Sequence, residues 1–273
     1  MRQIGAHVAG ITLRDGTQTL ATAQLLRRRI GPLRLSWLAR GPVIGPSLQA
    51  SNVIAKMRLP DLSIAIPDDP GISAWFSDLG YRALLTPQHV AEIDLRLSRE
   101  TRFAAQHGKW RNRLRAALAS PIKTEARPFD TGRDTHLVAL EMSQRKSRGY
   151  ASLPAAFTMA YATTSPDAAR LYLARDRSGI VAFMLFLLHP PVASYHIGWT
   201  DPAGRAHHAH NLLLWQASND LADRGFTRLD LGSIDTETAA GLARFKLGSG
   251  ATARALGSTL LRLLPPRRHR LAA

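Results

Sequence analysis

Nine consecutive apolar residues, IVAFMLFLL from Ile180 to Leu188, constrain this chain more than any other stretch. The run covers about half a bilayer, too little for a membrane helix. It has no polar alternation, so it is not a strand with one wet face. A central strand covered on both faces is what remains. The segments around it predict the cover: strand ARLYLARD, a turn at Arg177 to Gly179, the apolar run, strand ASYHIGWT, helix HNLLLWQASNDLADRG with a left-handed glycine cap at Gly225, and strand TRLDLG.

The order upstream is similar. HVAGITLRDGTQTLATAQLL predicts two strands joined at Asp15-Gly16, and LRLSWLARGPVIG a second pair. Residues 47–59 are expected to be helical, LSIAIP a strand, and GISAWFSDLGYRAL a short helix running into a strand. SRETRFAAQHGKWRNRLRAALAS predicts one helix burying Trp110, Leu114, Ala117 and Leu118, with Arg102, Lys109, Arg111, Arg113 and Arg115 on its other faces. DTHLVALEMSQRKSRG predicts another, ending near Gly149 with Arg145, Lys146 and Arg148 in its last turn, where cations suit the helix dipole.

At 273 residues, the chain fits one compact body or two closely packed halves. It has 36 Lys and Arg against 20 Asp and Glu, a formal charge of +16 that favours polyanions, anionic lipid surfaces or phosphorylated substrates. There is no cysteine, which excludes disulfides, thiolate nucleophiles and cysteine zinc sites. The N-terminal MRQIGAHVAGITLRDG lacks the apolar core of a secretory signal, and no transmembrane segment is expected, so the expected location is cytoplasmic. His207, His208 and His210 lie close together, but HHxH is not a zincin spacing and no carboxylate is near in sequence, so no metal is expected.

KWRNRLRAA, HNLLLWQASNDLADRGFTRLDLGSID and GLARFKLGSG, in that order, resemble the FemAB-like acyltransferases, tandem relatives of the GNAT acetyltransferases that include the BioF2-like acetyltransferase domain. The likeness covers residues 85–256, with WLARGPV a weaker echo upstream. It implies an α/β fold of tandem GNAT-like halves, mixed sheets flanked by helices, packed over a shared cleft. The halves are expected at 1–125 and 126–256, followed by a basic tail at 257–273. The resemblance also implies an N-acyltransferase that joins an acyl or aminoacyl group to an amine acceptor, possible acceptors including phosphorylated or cell-wall precursors. No tightly bound cofactor is expected. The co-substrate, acyl-CoA or aminoacyl-tRNA, is the anionic carrier.

The same resemblance places Lys246 at the acceptor phosphates and the forming tetrahedral centre, where an ammonium offsets an oxyanion. Here GLARFKLGSG is read as a turn between glycines at the end of a strand-like segment, and the competing reading of Lys246 is a solvated surface lysine. Phe245 reads as core. Arg244 either pairs with Asp230 or Asp235 or clamps a phosphate. Asp230 and Asp235 are candidates to hold or deprotonate the acceptor amine; for Asp235, capping a following helix competes, and for Asp230, neutralising an arginine. Tyr195 is a candidate to protonate a leaving group, against a single buried hydrogen bond. Arg145 and Arg148 are candidates for binding the acceptor.

Arg205 stands where an acetyl-CoA-dependent GNAT carries its pyrophosphate loop, but Ala206 to His210 lack both inner glycines, which leaves aminoacyl-tRNA or another carrier open. Lys109, Arg111 and Arg115 are candidates for carrier or nucleic-acid contact, the alternative being a solvated charged face. Two other functions compete with catalysis: RNA binding without turnover on a degenerate acyltransferase fold, and peripheral contact with an anionic membrane through Leu260 to Arg270, where leucines precede Arg267, Arg268 and Arg270.

Overall fold

The structure, a computed structural model, describes residues 7–31, 33–45 and 62–262. The helix expected at 47–59 and the arginines beyond Pro265 lie outside the described residues. The chain divides into two compact units. One runs to His89 and takes in the segment from Ala255; the other is Val90–Arg254. The division thus falls near residue 90 where the expected one is at 125, because the strands His89–Asp94 and Lys123–Pro128 belong to the second sheet.

In the first unit, β1 (His7–Asp15) and β2 (Gln18–Ile30) form the expected antiparallel hairpin, turning at Gly16 with φ +56°. Strands β3 (Leu33–Ala39) and β4 (Val43–Ile44) do not pair with each other. Both add to β2, and β3 continues in parallel to β5 (Leu62–Ile66). Helix α1 (Pro70–Asp78) leads to β6 (Arg82–Leu85). Between β5 and β6 lies β14 (Thr259–Arg262), with Leu260 and Arg262 both buried and the Arg262 guanidinium 4.9 Å from the Tyr81 ring centre. Expected as tail from 257 and as lipid-facing from Leu260, this segment is sheet: non-local pairings with two strands hold it, a signal that composition does not carry.

The second unit is a seven-stranded sheet in the order β13-β7-β12-β11-β10-β9-β8. Its strands are β7 (His89–Asp94), β8 (Lys123–Pro128), β9 (Ala169–Asp176), β10 (Gly179–His189), β11 (Val192–Thr200), β12 (Arg228–Ser233) and β13 (Thr252–Ala255). The apolar run is β10, and its side chains serve two cores in alternation. Ala182, Met184, Phe186 and Leu188 join one with α3 (Gly108–Leu118) and α7 (Ala209–Asp223); Phe183, Leu185 and Leu187 join the other with α4 (Thr135–Arg148) and α5 (Ala155–Thr164). A period of two with both faces covered explains why no polar residue interrupts the strand.

The segment read as one helix before residue 120 is two, α2 (Arg99–Ala105) and α3, broken at Gln106–His107. Arg102 bridges the break region to its surroundings, donating to Leu95 O (3.1 Å), Leu97 O (2.6 Å) and Asn219 Oδ1 (2.8 Å). Trp110, Leu114 and Ala117 are buried as expected; Leu118, the last helical residue, is exposed. The short α6 (Pro202–Ala206) is capped by Asp201, which accepts from Gly204 N. GLARFKLGSG is not a turn. It lies largely in α8 (Ala240–Gly248), and its one glycine with positive φ is Gly250. No helix among the described residues is long and apolar enough to cross a membrane.

Gly204 marks the tightest approach between β10 and α6, since a Cβ there would sit 2.4 Å from Val181 O and 2.5 Å from Thr200 Oγ1. Gly204→Ala is therefore expected to destabilise by about 1–3 kcal/mol in urea unfolding. Gly108→Ala, which meets open space, is expected to stay within about 0.5 kcal/mol.

Candidate active site

Strands β11 and β12 pair in parallel over only three positions, Val192–Ser194 with Arg228–Asp230. Just past this point β12 shifts register against β7, and Gly232 adopts φ +80°. Asp230 supports the irregular backbone by accepting from Gly232 N at 2.6 Å, the short-range turn bond that aspartate makes readily. Lys246 comes down from α8 onto the same place. Its Nζ donates to Ser233 O at 2.8 Å, and only 6% of the residue is exposed. Burial holds the Lys246 ammonium below the usual lysine pKa, and the neighbouring Asp230 carboxylate opposes that shift. Lys246 and Asp230, two candidates from the sequence, are thus both buried and near enough for the carboxylate to act on the ammonium, and the solvated reading of Lys246 does not hold.

The backbone of α8 is fixed by Trp110, whose Nε1 donates to Phe245 O at 3.1 Å. Phe245 is half-buried, its ring 6.1 Å from Trp110 and 6.4 Å from His210. The core reading of Phe245 therefore holds. His210 bonds to backbone, Nε2 lying 3.0 Å from Trp199 O, and burial keeps its imidazole below its ordinary pKa. A neutral ring facing a carbonyl there donates its N–H.

Tyr195 packs on Phe186 at 5.7 Å between ring centres, and burial, with the nearby Tyr150 and Glu141, pushes its phenol pKa up. It stays protonated and is able to donate. Its hydroxyl lies against Gly198, where a Cβ would be 2.6 Å away.

The other candidates separate. Arg244 is exposed and donates to Ala240 O within its own helix (3.3 Å). Asp235 is exposed and ties its own turn, accepting from Glu237 N, Thr238 N and the Thr238 hydroxyl, bonds that hold its carboxyl below the usual range. It caps this turn and not α8, whose N-cap is Ala239. Arg145 donates to Leu153 O at 3.0 Å and fastens the loop after α4. Arg111 donates to Ala104 O and Gln106 O, and Arg115 lies over the Phe103 ring at 5.5 Å, so both brace the corner between α2 and α3. Lys109 is exposed on α3.

Arg148 and Arg205 do come together. With Gln144, Trp199, Thr200 and Asp201 they line an open groove of about 450 Å³ between α4 and the end of β11. Arg205 donates to Thr200 O at 2.7 Å, which holds its guanidinium at the rim. Two arginines at one groove suit a phosphate group. Sequence reasoning missed the polar residues beside it, Glu141, Gln144 and Tyr150. Their signal was present: Leu137, Glu141 and Gln144 follow at i, i+4 and i+7, which puts two polar side chains on the core-facing stripe of α4.

The Lys246 pair has a testable pH signature. Unfolded Lys246 keeps its proton up to the ordinary lysine value of about 10.4, whereas the folded one releases it earlier. Between those two pH values the unfolded chain binds more protons, so this residue makes stability rise with pH. Urea unfolding from neutral pH to about 10.4 is expected to show that increment in the wild type and its absence in Lys246→Met.

Residues 97–247 match the acetyltransferase (GNAT) domain family. No curated protein matches the chain by sequence. Among solved structures, FemX superposes with a TM-score of 0.78 at 14% identity, over 97% of this chain and 90% of its own. A domain described as the C-terminal part (DUF2156) of a lysylphosphatidylglycerol synthetase from Agrobacterium fabrum gives 0.63 at 14% identity, over 96% and 85%. A tandem GNAT protein from the clavulanic acid biosynthesis pathway gives 0.52 at 11% identity, over 94% and 82%. At these identities the structures speak for the fold, two mixed sheets flanked by helices in the tandem arrangement expected from the sequence. The chain belongs to the GNAT acetyltransferase family, a family of acyltransferases, and has the FemAB-like form of its fold.

Proposed function

We propose that the protein is an N-acyltransferase that moves an acyl or aminoacyl group from an activated, phosphate-bearing carrier, acyl-CoA or aminoacyl-tRNA, to an amine. The observation that carries this reading is the buried Lys246 ammonium where β11 and β12 stop pairing. An ammonium has three donors, and one is used on Ser233 O. The others are available to an oxygen that acquires charge as a carbonyl becomes tetrahedral.

The reaction needs no covalent enzyme intermediate. The amine nitrogen attacks the carbonyl carbon, the C–N bond forms, the C–O or C–S bond to the carrier breaks, and the proton lost from nitrogen ends on the departing oxygen or sulfur, directly or through water. Tyr195, protonated and close to Gly198, is the candidate donor to that leaving atom. Asp230 keeps Lys246 charged despite its burial. Arg148 and Arg205 supply the groove for the carrier or acceptor phosphates. The missing glycines after Arg205 favour a carrier other than acyl-CoA held in the usual pyrophosphate loop. FemX and the lysylphosphatidylglycerol synthetase domain share the fold, which is consistent with transfer of an aminoacyl group.

The test supplies purified protein with labelled acyl-CoA and labelled aminoacyl-tRNA in separate reactions, each with a panel of primary amines. Transfer from one carrier is expected, and Lys246→Ala should lower its turnover about a hundredfold or more. Lys246→Arg should restore little, since a planar fork does not replace a compact ammonium. Unchanged turnover in Lys246→Ala would remove this lysine from the mechanism.

A further inference from the structure

Four carboxylate residues are buried among the described residues: Glu92, Asp134, Glu141 and Asp230. Three have a cation. Glu92 pairs with Arg254 at 2.8 Å and Arg228 at 3.7 Å; Asp134 accepts from Arg127 Nη2 at 2.7 Å; Asp230 lies beside Lys246. Glu141, only 3% exposed, makes no ion pair with any described residue, in a chain carrying 36 Lys and Arg. A buried carboxylate without a counter-charge is costly, and folds retain one where something else supplies the charge.

The neighbours of Glu141 point the same way. Tyr150 OH donates to its Oε1 at 3.0 Å. Gln144 Nε2 donates to Tyr150 OH at 3.3 Å and to Gly198 O at 3.2 Å. Because Gly198 O is only an acceptor and the phenol proton is committed to Glu141, the amide nitrogen must face these two groups. That leaves Gln144 Oε1 pointing elsewhere, buried and without a donor among the described residues. Tyr195, whose hydroxyl lies over Gly198, is close enough for Glu141 and Tyr150 to act on its ionisation. Gln144 Oε1 is therefore without a donor, and Glu141 has one only from Tyr150, beside the Tyr195 phenol. Gln144 also lines the groove of Arg148 and Arg205.

We propose that Glu141 and Gln144, oriented by Tyr150 and Gly198, form a recognition site for a primary ammonium group, adjoining the phosphate-binding groove. The ligand class is an amine whose nearby phosphate lies between Arg148 and Arg205. Within the acyl-transfer reading, on which this assignment of a reaction partner rests, the ammonium belongs to the amine substrate before it loses its proton. A primary ammonium supplies three N–H donors and the missing positive charge, whereas a quaternary ammonium supplies charge alone.

The experiment needs no turnover. The full chain is titrated with n-propylammonium chloride up to about 100 mM, where mass action makes a weak ligand visible as a rise in Tm, with tetramethylammonium chloride as the control for ionic strength and charge. Propylammonium is expected to raise Tm more than the control does. Glu141→Gln, which still accepts from Tyr150 and so keeps the fold, is expected to weaken that response about tenfold or more, the scale of a lost charged hydrogen bond. Gln144→Met should weaken it less. Equal responses to the two salts, or an unaltered response in Glu141→Gln, overturn the site. Propylammonium binding through Glu141 in a protein that transfers no acyl group from either carrier supports the site while removing the acyl-transfer reading.

Discussion

Backbone groups of β11 and β12 lose each other as partners after Ser194 and Asp230, and the second unit is arranged around that loss. A carbonyl or amide freed from a ladder must find another partner when it is buried. On β12 the replacements come from side chains: Asp230 takes Gly232 N, and Lys246 takes Ser233 O from a helix that starts seven residues later. On β11, Gly198 O is taken by Gln144 of α4 and Trp199 O by His210 of α7. The groups that repair the interrupted sheet are those that carry the candidate chemistry. Repair and reactivity share an origin, because a polar side chain brought in to satisfy one backbone atom keeps further donors or acceptors for a ligand.

Placing those side chains depends on β10. Its alternate residues feed two separate cores, so helices pack on both faces of the sheet. Helix α4 lies on one core and α7 on the other, and each sends a residue to β11. A single-sided sheet has one helical layer and lacks such paired access. The register shift between Leu185 and Phe186, opposite Tyr195 and Ile197, adds to this arrangement. Past it, Ile197 and Trp199 join the α4 core, while Tyr195 packs with the α3 and α7 core.

Local signals made much of this legible. Asp15-Gly16 marks a hairpin, Gly149 ends α4 with φ +70°, and the apolar run of β10 needs cover on both faces. Long-range pairings were not legible: nothing in Thr259–Arg262 says that it inserts between β5 and β6. The misreading of α8 has a plain cause. Gly241 and Gly248 look like turn residues, but glycine in a helix costs only about 1 kcal/mol relative to alanine, and packing on Trp110 outweighs that. For the site, Lys246 was found through motif order and resemblance, since only the folded chain shows it beside Asp230. Gln144 was passed over because its partner Gly198 lies more than fifty residues away, although the spacing of Glu141 and Gln144 on α4 already set both on the buried stripe.

Net charge needs a similar distinction. Several arginines that made the chain look like a polyanion binder are engaged at short range by neutral groups: Arg102 by Leu95, Leu97 and Asn219, Arg111 by Ala104 and Gln106, Arg145 by Leu153, Arg205 by Thr200. A guanidinium bonded to a carbonyl keeps its full positive charge, so the long-range field from a formal +16 is undiminished and still draws anions to the surface. What such a bond removes is geometry, because a donor committed to the backbone is not available for a forked contact with phosphate. Attraction and recognition are therefore carried by different residues. The whole basic surface contributes to attraction, screened by salt over about 10 Å. Recognition falls to the few cations that retain donors beside a groove, and in this unit Arg148 and, through the donors not given to Thr200 O, Arg205 meet that condition while the arginines bracing the corner between α2 and α3 line no such groove.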